Sequence, residues 1–195
     1  MEMEKAEALR KLEEEMERDA ALPLFGETNL VFGEGSPDCQ VMFIGEAPGF
    51  HEDRLRRPFV GRAGQLLRDL IKEVGWREAD VYITNIVKRR PPENRDPLPE
   101  EIETYKPYLR KQIEIINPKI IVPLGRFSMN YFLPEAKISR DHGKVFRLEG
   151  RLIVPLYHPA AALRSTEVLN SLRASFRKLP EIVSGKYQSV SIEPA

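Results

Sequence analysis

Apolar residues in this chain follow two rhythms. Residues 3–19 scatter single apolar positions among charges, which predicts an amphipathic, largely exposed helix, with residues 1–24 forming that helix and a connector. "CQVMFIG" is a short unbroken apolar run ending at Gly45 and predicts a buried strand. "GRAGQLLRDLIKEVGW" switches to helical spacing at Leu66, Leu67, Leu70, Ile71 and Val74, with Gly75 as the stop. "DVYITNIV" predicts a second strand. "LPEEIETYKPYLRKQIEIIN" opens with acids in its first turn. It sets Ile102, Tyr105, Tyr108 or Leu109, and Ile113 on one face, while Pro107 predicts a kink or a split. "PKIIVPLG" predicts a third strand and "RFSMNYFL" a short helix. "KVFRLEGRLIVPLYHP" reads as a hairpin around Glu149 and Gly150 whose second arm is a further buried strand. "EVLNSLRASFRKLPEIV" reads as a last helix, and residues 184–195 as a loose tail.

Strands alternating with helices predict an α/β sandwich on a mostly parallel central sheet of about four strands. The 195 residues show no internal repeat and no low-complexity linker, so residues 1–195 are expected to form one domain. In such folds ligands bind outside the carboxyl ends of the strands. Here those ends run into "GEAPG", into Asn85 and "KRRPP", into "PLGR", and into "YHPAA".

Composition changes this picture in three places. The formal net charge is zero, yet residues 1–19 hold eight acids against four bases, leaving 26 bases and 22 acids in the rest. With the local clusters "RLRRPFVGR" and "KRR", the body of the chain can meet a polyanion despite the overall balance. No run of about 18 apolar residues and no signal-peptide core is present, so a cytoplasmic, nucleoid-associated protein with no membrane contact is expected. The single cysteine, Cys39, excludes an internal disulfide and any all-cysteine metal site. The Lys, Arg and Glu content is of the kind enriched in thermophile proteins.

The strand ends collect one carboxylate, one amide and one imidazole, Glu46, Asn85 and His158, with Phe59 on the loop after the first strand. "GEAPG" lacks the spacing of either nucleotide-binding glycine motif. There is no nucleophile elbow, and a metal would need more ligands than Glu46 and His158 supply. Each residue also has a plain structural reading: Asn85 as an Asx-type turn, Glu46 as a helix cap, Phe59 as a core ring, and His158 as a buried hydrogen-bonding group.

"GEAPGFHED", "RPFVGRAGQLL", "TNIVKRRPPENRDP" and "HPAAALR" resemble, in order and spacing, the motifs of the family 4 uracil-DNA glycosylases of archaea and bacteria. The match spans roughly residues 30–180. The resemblance implies a three-layer α/β/α sandwich that excises uracil from single- and double-stranded DNA. It assigns catalysis to Glu46 and His158, and uracil binding to Phe59, Asn85 and the backbone around Gly45 and Ala47. Leu163 becomes the wedge into the space left by a flipped base. Arg164, Arg62, Lys88 and Arg90 become phosphate contacts. The expected partner is uracil-containing DNA, met by a monomer.

In one respect the chain departs from that family, whose members hold a [4Fe–4S] cluster with four cysteines. Arg89 stands at one cluster position and Tyr105 at another, and Met16–Leu24, where a CxxC belongs, has no cysteine. One thiolate cannot hold a cubane cluster, so no cofactor is expected. Arg89 and Tyr105 are expected to fill the space, with Ala20, Leu22 and Leu24 packing nearby and Arg89 pairing with Glu17 or Asp19. The competing readings are a glycosylase for other deaminated bases, and a catalytically idle DNA-binding relative. A relative that traps uracil-DNA covalently carries a histidine in its basic loop, and "KRRPPENR" has none.

Overall fold

The apolar runs of the sequence become the parallel centre of one sheet. The computed structural model describes residues 2–191. Its helices are α1 (Glu2–Arg18), α2 (Phe50–Leu55), α3 (Arg62–Glu73), α4 (Pro99–Ile116), α5 (Arg126–Phe132), α6 (Ile138–Asp141), α7 (Pro159–Ala162) and α8 (Thr166–Val183). Its strands are β1 (Glu34–Gly35), β2 (Val41–Gly45), β3 (Tyr82–Asn85), β4 (Ile120–Pro123), β5 (Val145–Leu148), β6 (Arg151–Ile153) and β7 (Ser189–Ser191). The sheet order is β1-β3-β2-β4-β6-β5-β7. The β3, β2, β4 and β6 strands run parallel, and β1 and β5 are antiparallel to their inner neighbours.

The expected four strands are therefore the centre of a sheet of seven. The loose tail expected from residue 184 is corrected for Ser189–Ser191, which pair in parallel with β5. Residues 192–195 lie outside the described residues. Pro107 does not split its helix: α4 runs unbroken from Pro99 to Ile116.

Alternation along the central strands builds the three layers. Met42 and Ile44 of β2 face the cluster formed with Leu12 and Met16 of α1, Tyr105, Leu109 and Ile113 of α4, and Met129 of α5. Val41 and Phe43 face the opposite cluster, with Leu67, Leu70 and Ile71 of α3 and Leu172, Phe176 and Leu179 of α8. Phe43 and Phe176 stack at 5.5 Å. All five residues of β2 are buried, as a parallel strand covered on both faces requires. The β5–β6 turn places Glu149 and Gly150 at φ 48° and 79°, the left-handed pair of a tight two-residue hairpin.

Candidate active site

The chain leaves β2, then places β3 on one side of it and β4 on the other. Such a reversal opens a crevice at the carboxyl ends of the strands. There the structure has a cavity of about 570 Å³, lined by Glu46, Ala47, Phe59, Asn85, His158 and Arg164 among others. Six residues singled out in the sequence, from four separate stretches, thus share one space.

Asn85 ends β3 at 2 % exposure. Its amide makes no side-chain hydrogen bond among the described residues, although it lines the cavity. The Asx-turn reading fails, because that turn would engage the amide. The amide atoms open onto the cavity, where a ligand can complete their hydrogen bonds.

Phe59 is buried with φ 51°, a backbone shape uncommon for a non-glycine residue. Buried Arg68 braces that turn, donating from Nε to the Phe59 carbonyl at 2.9 Å and from a terminal nitrogen to that of Pro58 at 2.8 Å. Two glycines make room for the ring. A Cβ on Gly64 would stand 2.0 Å from the Phe59 carbonyl carbon. One on Gly45 would stand 2.5 Å from the Phe59 ring and 2.4 Å from the Asn85 amide oxygen. Gly45 thus lets the ring and the amide approach one another. Its own carbonyl accepts from Ile86 N–H at 3.0 Å.

His158 precedes α7, and its ring stacks against Phe59 with centroids 5.7 Å apart. Its Nδ1 accepts from the Ala160 N–H at 3.1 Å, so the proton of the neutral ring lies on Nε2. Burial pushes its pKa down to about 4, opposed only by the Glu52 charge. At neutral pH this imidazole is an uncharged donor. Glu46 is shifted the other way. Burial, then the like charge of Asp96, raises its pKa to about 7, against the pull of Arg126. Two titratable groups in one cavity are driven apart, one poised to take a proton and one kept neutral.

The remaining expected contacts divide. Leu163 is 43 % exposed beside Arg164 at the end of α7. Arg62 is exposed at the start of α3 but does not line the cavity. Arg90 donates from Nε to Asn94 Oδ1 at 2.6 Å, and Asn94 does line it. Lys88 is a correction. It is fully buried, its ammonium donating to Thr84 Oγ1 and Gln112 Oε1, and burial holds its pKa well below the usual lysine value. It cannot reach a phosphate.

The sequence carried no sign of a role for two cavity residues, Glu52 and Asp96, or for His142 beyond them. Glu52 accepts from the N–H groups of Val60 and Gly61 at 2.9 and 2.8 Å, fixing the loop that carries Phe59. Asp96 sets the field at Glu46. His142, outside the cavity, accepts the Tyr157 N–H on Nδ1 at 2.9 Å and stacks on the Tyr157 ring at 4.1 Å. These residues sit in stretches with no apolar rhythm, and only Glu52, between Gly49 and Gly61, and His142, before Gly143, have a glycine near to mark a turn.

The family's cluster positions are otherwise engaged. Arg89, 3 % exposed, donates to the Thr28 carbonyl, lies 3.4 Å from a Glu17 carboxylate oxygen, and sets its guanidinium 5.5 Å from the Phe25 ring centroid. Tyr105 is fully buried and donates to the Pro23 carbonyl at 2.6 Å. Leu22 is buried and Leu24 half-buried nearby, but Ala20 is exposed, correcting its expected packing role. Among the described residues no three His, Cys, Asp or Glu side chains are grouped to hold a metal ion. These residues do not fit an iron–sulfur cluster.

Fold and cavity together define an α/β/α protein whose strand-end cavity is lined by an aromatic ring, a strand-end amide, a carboxylate and a neutral imidazole. A model of the uracil DNA glycosylase superfamily matches residues 32–179. The type-4 uracil-DNA glycosylase of Sulfurisphaera tokodaii is 46% identical over 167 residues, 80% of this chain and 75% of that one. Those of Archaeoglobus fulgidus and Thermotoga maritima are 43% and 44% identical, covering 82% and 86% of this chain and 84% and 88% of their own. The chain belongs to the uracil-DNA glycosylase superfamily, in its type-4 family.

Proposed function

We propose that the protein excises uracil from DNA by hydrolysing the N-glycosidic bond, leaving an abasic site, and that it does so without an iron–sulfur cluster. The observation that carries this reading is the unpartnered Asn85 amide, 2 % exposed, beside Phe59 in a cavity with ample room for a base. A base must leave the stack to enter, costing a few kcal/mol, and stacking on Phe59 returns about 1–3 kcal/mol. Asn85 donates to uracil O4 and accepts from N3–H. Cytosine presents the reverse pattern at both atoms and leaves buried groups unpaired.

As the C1′–N1 bond breaks, its electron pair moves onto the uracil ring, and charge builds at O2. His158, neutral with its proton on Nε2, donates there without first losing a charge of its own. Ionised Glu46 stabilises the electron-poor sugar and takes a proton from the water whose oxygen bonds to C1′. Neither step uses a metal or a cluster.

DNA is the partner in both its single- and double-stranded forms, met by a monomer through Leu163, Arg164, Arg62 and Arg90. Among the described residues no helix is long and apolar enough to cross a membrane. The test is incubation with a uracil-containing oligonucleotide, followed by alkali. Strand breaks that disappear in His158→Ala support the reading. Intact strands with retained DNA binding would replace it with a catalytically idle binder.

A further inference from the structure

Beside the cavity stands an exposed aromatic that the steps above do not use. Phe50, the first residue of α2, is 50 % exposed. It follows directly on Gly49, which lines the cavity. The Arg90 guanidinium lies over its ring, 5.2 Å from the centroid, and the His51 ring meets it edge-on at 5.4 Å. Arg90 is itself anchored to Asn94 Oδ1. Glu93 and Asn94 take φ 54° and 55°, a pair of left-handed residues that turns the Asn94 side chain back toward Arg90 while it borders the cavity. An aromatic ring is thus held at the rim with a cation over it, His51 at its edge, and half of the residue's surface open to solvent.

The Lys88 ammonium is occupied by Thr84 and Gln112, and the groove between α4 and the β5–β6 hairpin mixes apolar residues such as Ile113 and Phe132 with charges of both signs.

We propose that the Phe50–Arg90 pair is a stacking platform for an unpaired base next to the flipped nucleotide, and that it favours single-stranded over duplex substrate. This rests on the uracil-excision reading. The occupant follows from continuity: a strand whose base enters past Gly49 carries its neighbouring nucleotide across the adjacent rim. An exposed aromatic face accepts the π-face of any base, so the contact needs no particular sequence. Arg90 adds positive charge where the backbone passes. In a duplex the neighbouring base is already paired and stacked, and it would have to give up both contacts to reach Phe50.

The test measures kcat/KM on one uracil-containing sequence in three forms: single-stranded, duplex, and single-stranded with abasic spacers flanking the uracil. Binding of the single strand is read separately by fluorescence anisotropy. Losing one base–aromatic stack, Phe50→Ala is expected to lower the single-strand to duplex ratio of kcat/KM about tenfold. The effect disappears on the abasic-flanked strand, and Phe50→Trp restores the ratio. A Phe50→Ala protein with the wild-type ratio, or one that loses equally on all three substrates, overturns the platform. Wild-type protein that leaves uracil in place overturns the glycosylase reading. In that case the platform stands if Phe50→Ala still weakens single-strand binding about tenfold, and falls if it does not.

Discussion

At the scale of single residues, the cavity works through opposed environments. Asn85 holds two hydrogen-bonding functions ready with no protein partner, so removing them should spare the fold and damage selection. Asn85→Ala is expected to cost about 2–4 kcal/mol of transition-state stabilisation, from two hydrogen bonds to a desolvated base. Steady-state kinetics on uracil-containing DNA check this, and a loss below about threefold would remove Asn85 from base reading. The sign of the pH dependence follows from Glu46. Below its pKa of about 7 the carboxyl is protonated and cannot accept a proton from water; above it the base is available. Activity should therefore rise through pH 7 to a plateau. His158, neutral above about pH 4, adds no limb in that range. Asp96 raises the Glu46 pKa as a like charge, so Asp96→Asn should move the acid limb to lower pH. A pH–rate profile that stays in place in this variant would detach Asp96 from the mechanism.

Among the elements, those with long rhythm were legible and the short ones were not. The β2, β3 and β4 strands were visible as apolar runs, and α3 and α8 as helical stripes, because each buries a continuous face against the sheet. The two-residue β1, with an intermediate and an exposed position, shows no pattern. The α2 and α6 helices are six and four residues long, too short for a stripe. The site was readable where a residue closes a strand, as Asn85 does. It was not readable where a residue acts through another element. His142 is the clearest case: from the end of α6 it accepts the backbone N–H of Tyr157, next to His158. Its Nε2 reaches the Ser171 carbonyl at 3.2 Å and Ser175 Oγ at 3.0 Å on α8. It ties the segment between β6 and α7 to α8. His142→Phe keeps a ring for Tyr157 to stack on but loses the acceptor. A small displacement of His158 should lower kcat about tenfold or more while KM for the oligonucleotide moves little. A rise in KM with kcat unchanged would make His142 a binding residue instead.

Across the whole molecule, the departure from the family's cysteines has a mechanical consequence. The connector after α1 carries little regular structure and must be fastened to the body. Here Tyr105 holds the Pro23 carbonyl, Tyr108 donates to an Asp19 carboxylate oxygen at 2.7 Å, and Arg89 gathers Thr28, Glu17 and Phe25. Side chains of α4 and of the segment after β3 thus grip the connector, the elements where the family resemblance places cluster ligands. The fit is incomplete, since Arg89 Nε and Thr28 Oγ1 are buried without partners. That tempers the expected gain, as each unpaired buried group costs about 1–3 kcal/mol. Arg89→Ala removes the grip but leaves Glu17 its exposed partner Arg56 at 2.8 Å, so the loss should come from packing and from the Thr28 carbonyl. A destabilisation of about 1–3 kcal/mol is expected, lowering Tm by roughly 2–10 °C in a chain of this size. Tyr105→Phe, which loses one hydrogen bond and keeps the ring, should lose about 1 kcal/mol. Calorimetry of both variants, beside iron analysis of the wild-type protein, separates the alternatives. Colourless, iron-free protein that loses Tm in Arg89→Ala supports a side-chain clasp. About four irons per chain would restore the cluster, and iron-free protein with an unchanged Tm would leave the connector held by something other than Arg89.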